Sequence, residues 1–424
     1  MTAPTPLARE ALDGLIARAA ATPLGAVRRS ALERFGELGA PTARLEEWRY
    51  TPAASLAKLL VTPAEPSLID RAVLEALLSA APEGPRLVFS AGRLVPELST
   101  PPAGISIRSF DQEMTLIEPA LRGEIARARD GFEALHLALA SEGVILRVPR
   151  TAILGVPLHL VHLAPRSGAG HTRIDLELER GASLTLIETF LGSGEAEGVD
   201  HGTHRITVGR DAVLHHARVV REPERAHHLA RVRIELDGSA RYEGLLVHAG
   251  GATARTEITA ELGERADFSL GGLYLTRGDE ISDCPTVVVH RASHGRSRQL
   301  FKGIVADRST ATFYGKVRVD EHTAGNDARQ TNKNLLLGEG ATANTRPQLE
   351  IYADDVQCAH GATVGRLDEQ QVFYLRSRGL DAEAARAMLT WAFAAEVLEL
   401  HAPKEARAYS SEILASRLGA GGAS

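Results

Sequence analysis

The sequence predicts a mainly β protein, in which a β-solenoid, or parallel β-helix, is flanked by α-helical regions at both ends. Strand-like alternation of apolar and polar residues dominates from about residue 144 to residue 365, with no helical pattern between the strands. Turns that begin with Gly or Asp recur in this stretch, mostly about 25 to 33 residues apart with one longer gap before Asp307. These turns are at Gly181, Asp211, Gly238, Asp307 and Gly340. A degenerate repeat of turn and short strand is typical of a stacked solenoid.

A β-sandwich is the competing interpretation of the same alternation. Two packed antiparallel sheets also give short, alternating strands separated by turn residues. A sandwich that continued for more than 200 residues would more often divide into two domains. The pattern therefore favours the solenoid.

The segments on either side of the β region have helical spacing. The first 80 residues are rich in Ala and Leu, and residues 81–143 combine a strand pair broken by Pro and Gly with a further helical stretch. Near the C-terminus, Gly379 is expected to end one helix and Asp381 to cap the next. The sequence thus predicts an N-terminal helical region (1–80), a mixed α/β connecting region (81–143), a β-helix core (144–365) and a C-terminal helical region (366–424).

Composition argues against several classes of protein. The chain of 424 residues has a net charge of -6, so no overall basic field attracts nucleic acid or an anionic membrane. No apolar run approaches the length of a membrane span, and the N-terminus lacks the apolar core of a secretory signal. Two cysteines do not form a disulfide framework, and no CxxC pair indicates a closed zinc site. We expect a cytoplasmic protein without nucleic acid or membrane partners.

Familiar catalytic motifs do not occur in the sequence. There is no GxxxxGK[ST], GxSxG or HExxH, so we assign no catalytic residue and expect no intrinsic ATPase site. Histidine is plentiful, and His159 with His162 or His201 with His204 could suggest metal ligands. A spacing of three does not place two residues of a strand on one face. We therefore interpret these histidines as ordinary surface or core residues.

One cysteine and one histidine have a more suggestive spacing. In "LEIYADDVQCAHGATVG" an extended chain would put Cys358 and His360 on the same face. A thiolate beside an imidazole can form half of a metal or sulfur site. Geometry alone leaves a buried inert cysteine beside a hydrogen-bonded histidine open, and favours it.

The long C-terminal helix carries two apolar stripes. Met388, Ala392 and Ala395 form one stripe, and a second is formed by Leu389, Phe393, Val397 and Leu400. One stripe can pack on the body of the protein. The second, which includes Phe393 beside Trp391, indicates either a helix sandwiched in a core or a helix that docks a partner.

Residues 326–380 resemble the C-terminal signature of the SufB/SufD family of the SUF iron–sulfur cluster assembly system. The motifs "QTNKNLLL", "LEIYADDV-x-C-x-HGATVG" and "FYLRSRGL" follow one another in the order found in that family, and "EEWRYT" at Glu46 is similar to its N-terminal motif. The wording "YADDV-x-C-x-HGAT" is similar to the SufD branch. Residues from about 60 to 140 contribute little to the likeness.

The resemblance implies a right-handed parallel β-helix and a non-catalytic scaffold subunit of a SufB–SufC–SufD complex. Strands of the β-helix would pair with SufB, and a transient iron–sulfur cluster would assemble at the shared interface. His360 matches the family histidine associated with that site, and Cys358 is its neighbour in the motif. The C-terminal helices would bind the SufC ATPase, and we assign this docking to Phe373, Tyr374, Arg378, Met388, Trp391 and Phe393. Family complexes are also associated with reduced flavin.

Other functions are compatible with a β-helix. A polysaccharide lyase or hydrolase would need a carboxylate or calcium constellation along one strand face, and we find no clear paired-carboxylate cluster of that kind beyond Asp354–Asp355. A homodimeric structural scaffold without a metal role would have the same composition. An unpaired β-helix edge also favours a homodimer when the chain is isolated.

Overall fold

The computed structural model describes residues 14–17, 24–140 and 143–419. Residues 1–13 and 18–23 of the predicted N-terminal helical region therefore lie outside the described residues. The helices that precede the β-helix are α1 (Gly25–Leu38), α2 (Ala53–Leu60), α3 (Arg71–Leu77), α4 (Met114–Ala126) and α5 (Gly131–Leu139). Those that follow it are α6 (Glu369–Ser377), α7 (Ala382–His401) and α8 (Lys404–Leu418).

The strands form two large sheets that stack as a parallel β-solenoid of about eight turns. Sheet I contains β1, β2 and the odd-numbered strands from β5 to β19, and sheet II contains β3 and the even-numbered strands from β4 to β18. The predicted fold class, mainly β with helices at both ends, is confirmed. In chain order the strands are β1 (Arg86–Ser90), β2 (Arg93–Leu94), β3 (Ser106–Ser109), β4 (Gly143–Val148), β5 (Leu158–Leu163), β6 (Ala169–Leu178), β7 (Ser183–Leu191), β8 (Val199–Val208), β9 (Val213–Val220), β10 (His227–Leu236), β11 (Arg241–His248), β12 (Thr253–Leu262), β13 (Asp267–Thr276), β14 (Ile281–His290), β15 (Arg296–Val305), β16 (Thr310–Val319), β17 (Asn326–Leu336), β18 (Thr342–Ile351) and β19 (Val356–Gly365).

Left-handed turn residues mark the corners between the two sheets. Asp211, Ser239, Arg265 and His294 have positive φ angles and each precedes a strand of sheet I. Asp307 also has a positive φ, but it precedes β16 of sheet II and so belongs to the opposite corner. The long gap in the predicted turn spacing contains two turns that the prediction did not recognise, and the turn after it belongs to the other corner. Arg265 and His294, which complete the first series, carry no Gly or Asp signal.

The lumen between the sheets is lined by side chains stacked from one turn to the next. In sheet I, Leu214 lies in register with Leu184 below it and Tyr242 above it, and Tyr242 with Phe268. All four are buried, and the rings of Tyr242 and Phe268 stack at 5.2 Å. Such ladders exclude water from the lumen and stabilise each turn on its neighbour.

The N-terminal helices cover the outer face of sheet II, and the "EEWRYT" segment fixes them there. Apolar side chains of α1, α2, α4 and α5 pack with residues of β4, β6, β8 and β10. The indole of Trp48 is buried, donates from Nε1 to Asp130 at 3.1 Å and lies under the Arg255 guanidinium at 4.2 Å. The motif therefore has an internal structural role.

The C-terminal helices cover the outer face of sheet I. Residues of α7 and α8, including Val397 and Leu414, pack with the odd-numbered strands from β7 to β15. The predicted caps are confirmed, since the Asp381 side chain accepts from the Ala384 N–H at 2.8 Å and Gly379 follows α6 with a positive φ. The described residues contain no helix that is long and apolar enough to cross a membrane.

The two ends of the solenoid differ. At the first turns the edge strands are β2 and β3, which are short and pair antiparallel with β1 and β4. At the last turn, β18 pairs with β16 and β19 pairs with β17, and no other described strand pairs with either. Most residues of β19 are exposed. The last turn of the solenoid therefore presents two free strand edges, those of β18 and β19. We call this end of the molecule the open end.

Candidate functional site

The motif around Cys358 is divided between the two sheets. The condition for Cys358 and His360 to share a face, an extended chain, holds for residues 356–365 and not for the whole of residues 349–365. β18 ends at Ile351, residues 352–355 turn, and β19 begins at Val356 in the other sheet. The consecutive aspartates favour a turn, and the Asp355 carbonyl accepts from the Gly325 N–H at 2.8 Å. Asp354 and Asp355 are exposed turn residues.

Cys358 and His360 both lie on β19, two residues apart and hence on one face. They pair in register with Ala328 and Gln330 of β17. Ala328 lines the lumen, so Cys358 and His360 point to the lumen side of the final turn. Cys358 is half-buried against the core, whereas His360 is exposed. Burial raises the pKa of the Cys358 thiol.

The floor below His360 is polar. Gln330 lies in register with Gln299 of β15, and both side chains are buried. Neither side-chain amide has a hydrogen-bond partner among the described residues. Buried amides are normally satisfied, so these groups are available to water or to a ligand that enters from the open end.

The chemistry of this site is that of an incomplete set of ligands. A thiolate and an imidazole are both ligands for iron, but one of each does not hold an iron–sulfur cluster. The half-exposed position at a free sheet edge leaves room for ligands from another chain. The described geometry therefore brings Cys358 and His360 onto one face of β19, beside a free sheet edge.

The predicted docking residues fall into two groups. Phe373 and Tyr374 on α6 are 72% and 58% exposed, and Arg378 and Met388 are also exposed. Trp391 and Phe393 are instead half-buried against the residues of α7, α8 and sheet I that form one core cluster.

The buried side chain of Lys302, on β15 of sheet I, holds Phe393 in place. Lys302 Nζ donates to the Phe393 carbonyl at 2.7 Å, lies 4.4 Å from its ring centre and pairs with Glu396. Because this contact holds α7 on sheet I, Phe393 has a structural role whatever binds outside it. The exposed members of the predicted docking set are therefore Phe373, Tyr374, Arg378 and Met388.

Sequence reasoning missed a buried charged cluster inside the lumen. Glu188 accepts hydrogen bonds from His204 at 2.8 Å and from Arg218, and all three are fully buried. Burial alone would raise the pKa of Glu188, but His204 and Arg218 outweigh it and hold that pKa well below its usual range. The three residues come from β7, β8 and β9, so their meeting depends on strand register that periodicity does not show.

Known proteins match this chain over most of its length. The model of the SUF system FeS cluster assembly SufBD core domain matches residues 162–393. The iron–sulfur cluster assembly protein SufD of Escherichia coli is 35% identical over 379 residues, which cover 87% of each chain. An iron–sulfur cluster assembly SufBD family protein of Synechocystis is 30% identical over 391 residues, covering 88% of this chain and 86% of that one.

These matches extend well beyond the signature around Cys358. The family model spans the lumen cluster, the open end and most of α7, and the relatives span almost the full length. The β-solenoid and the terminal helices agree with this relationship. The chain therefore belongs to the SufBD family of the SUF system and takes part in iron–sulfur cluster assembly.

Proposed function

We propose that this protein is a scaffold subunit, not itself an enzyme, of a complex with SufB-type and SufC-type subunits. The observation that carries the proposal is the open end of the solenoid. Two free strand edges and the Cys358/His360 pair occur on the same final turn. In this proposal a partner β-helix pairs with the free strand edges, and a nascent cluster binds to Cys358 and His360.

The free edges support pairing with another β-helix. An edge strand presents unpaired backbone N–H and C=O groups that a strand from a second chain satisfies. Exposed apolar residues near these edges, Ile351 at 41% and Val364 at 46%, add area that a partner would remove from water. We assign this surface to a SufB-type subunit in the complex and to a second copy of the chain when it is isolated.

The same pairing would complete the cluster site. Cys358 and His360 supply two ligands, and a chain that pairs along the edge of β19 would place its own side chains beside them. The cluster is the cargo of such a site, so ligands that are few and partly exposed favour its release. The resemblance associates reduced flavin with family complexes, and we assign it no residues on this chain.

The C-terminal helices support a second docking surface. Phe373, Tyr374, Arg378 and Met388 form an exposed surface of aromatic, cationic and thioether groups, which is the composition of protein interfaces. We assign this surface to a SufC-type ATPase. A cytoplasmic location stays a prediction from the sequence.

The pairing proposal is tested with Ile351→Lys combined with Val364→Lys, co-expressed with the SufB-type subunit. Both side chains are partly exposed in the single chain, so two lysines leave its fold intact but place charge inside the proposed interface. We expect affinity for the partner to fall at least about tenfold, measured by co-purification and by sedimentation.

The matched control is Leu116→Lys, because Leu116 is an exposed apolar residue on α4. This variant should bind the partner as the unmodified chain does. Full association of the double variant, with its melting temperature unchanged, would contradict pairing through the open end.

A further inference from the structure

The lumen holds a second group of potential metal ligands, separate from the open end. His162, Glu188 and His204 come from β5, β7 and β8 and converge inside the solenoid. One potential ligand atom from each lies within 4.8 Å of the others. All three side chains are fully buried.

Two aromatic rings hold the faces of the His162 imidazole, and both of its ring nitrogens are left without a partner among the described residues. Its ring stacks between Phe89 at 5.1 Å and Phe190 at 4.3 Å, nearly parallel to both. Both ring nitrogens are buried and have no hydrogen-bond partner among the described residues. Burial lowers the pKa of His162 well below its usual value, so the ring is neutral and carries a free lone pair.

His204 is oriented in the manner of a metal ligand. Its Nδ1 donates to Glu188 at 2.8 Å, which leaves Nε2 buried without a partner among the described residues. An ion shared by His204 and Glu188 would take the place of the Nδ1 proton, because the nitrogen and oxygen ligands of one metal ion lie about 3 Å apart. Gly202 lies two residues earlier on the same face, and a Cβ there would come within 3.3 Å of Nε2. The glycine thus leaves space beside the free nitrogen.

Carboxyl groups outnumber guanidinium groups around these ligands. Glu188, Asp200 and Glu222 are buried, and Arg218 is the one guanidinium acting on all three in the described structure. Both oxygens of Glu222 and one of Asp200 have no hydrogen-bond partner among the described residues. Burial raises the pKa of Asp200 and of Glu222 and so favours their neutral forms, but a divalent ion nearby would favour their ionised forms, whose two charges balance its own.

We propose that the lumen binds one divalent transition-metal ion through His162, His204 and Glu188. Two imidazoles and one carboxylate are the protein ligands of many zinc sites and of non-haem iron(II) sites, and both metals suit this donor set. Asp200 and Glu222 compensate the added charge. The site uses no residue of the open end and does not depend on pairing with another chain.

The test measures metal retained by the full chain after expression in medium supplemented with ZnCl₂ or, anaerobically, with iron(II) sulfate. The central variant is His162→Phe, because phenylalanine fits between Phe89 and Phe190 but offers no ligand. After a wash with EDTA, elemental analysis should find about one ion per unmodified chain. His162→Phe and His204→Gln should each retain at least about tenfold less. The better retained metal identifies the ion.

The matched control is His159→Gln, which changes a buried histidine on the other face of β5, where His159 contacts Thr189. This variant should retain the metal. Melting temperatures report whether each variant folds, and bound metal should raise that of the unmodified chain but not that of His162→Phe. An unmodified chain that retains no metal, or equal retention in folded His162→Phe, would overturn the proposal.

Discussion

Glu257 on β12 joins the N-terminal helical region to the solenoid. Its buried carboxylate contacts Arg129 from the segment between α4 and α5, Arg231 from β10, and Arg255 from its own strand. Burial alone would raise the pKa of Glu257, but the three guanidinium groups outweigh it and hold that pKa well below its usual range. Arg231 also pairs with Asp130, which receives the Trp48 indole N–H. The "EEWRYT" segment and this charge cluster therefore form one attachment.

Glu257→Gln should destabilise the protein by about 3–5 kcal/mol, because it removes the one carboxylate among the described residues that all three guanidinium groups share inside the protein. The pKa of Glu257 is lower in the folded than in the unfolded chain, where it is about 4.3. Its contribution is therefore complete above about pH 5 and is lost as the pH falls toward the folded-state pKa. Urea unfolding from pH 7 to pH 3 should show the gap between unmodified chain and variant narrowing at the acid end.

Glu261→Gln on the same strand is the matched control. Glu261 pairs with Arg291 at 2.6 Å, but both side chains are substantially exposed. Its loss should cost less than about 1 kcal/mol. Equal effects of the two substitutions would show that burial does not determine the strength of these pairs.

The histidines show what the sequence could predict at this scale. His162 faces the lumen while His159 faces Tyr409 of α8, so a spacing of three does place strand residues on opposite faces, as predicted. The interpretation of each pair as unrelated to a site missed that His162 and His204, from different pairs, meet across the lumen. Strand alternation gives the face, but register between distant strands brings the residues together.

At the scale of the element, α6 and α7 differ in what they bury. α7 packs Ala394, Val397 and Leu398 against sheet I, whereas α6 buries Val372 and leaves Phe373 and Tyr374 exposed. The ion pair between Arg386 and Glu369 holds the two helices together. An exposed aromatic pair on a helix fixed to a rigid sheet is a suitable surface for a partner.

Phe373→Ala combined with Tyr374→Ala should weaken capture of the SufC-type ATPase at least about tenfold, because aromatic anchors dominate interface energies. The substitutions remove exposed side chains, so the melting temperature should stay within about 2 °C. Pull-down of the ATPase by the full chain measures the effect.

Leu68→Ala is the control for that experiment, since Leu68 is exposed and precedes α3, outside the C-terminal helices. Unchanged ATPase capture by the double variant would place the docking surface elsewhere. Point variants are preferable to deletion of residues after 368, because α7 and α8 cover the apolar face of sheet I.

The sequence predicted the ends of these helices better than their buried faces. Gly379 and Asp381 are local signals, and both predictions are confirmed. The two apolar stripes did not show which face of α7 is buried. Val397 is buried and Leu400 of the same stripe is exposed, because Leu400 lies beyond the lateral limit of the face that Val397, Leu398 and His401 present to sheet I. That limit depends on tertiary geometry.

At the scale of the whole molecule, the two ends of the solenoid differ, because short antiparallel strands form the edges at the first turns and the long parallel strands β18 and β19 form them at the last turn. The repeat of turn and strand was sufficient to predict the solenoid, because each turn repeats the same local pattern. It did not predict that β18 and β19 are separated by the turn over residues 352–355. In "LEIYADDV" the apolar residues favour a strand and the two aspartates favour a turn. The chain turns there because it crosses from sheet II to sheet I.

We propose that the open end is half of a cluster assembly site. The most direct measurement is iron and acid-labile sulfide in the complex purified anaerobically after co-expression with SufB-type and SufC-type subunits. We compare the unmodified chain with His360→Ala, and with His322→Ala as a second exposed histidine, on the turn between β16 and β17. Acid-labile sulfide separates the cluster from metal in the lumen.

We expect His360→Ala to leave the complex intact and to lower both iron and sulfide several-fold, with His322→Ala unchanged. That result would establish His360 as a contributor to the shared site. An intact complex in which His360→Ala carries the full content of iron and sulfide would contradict a role of His360 in cluster assembly at the open end.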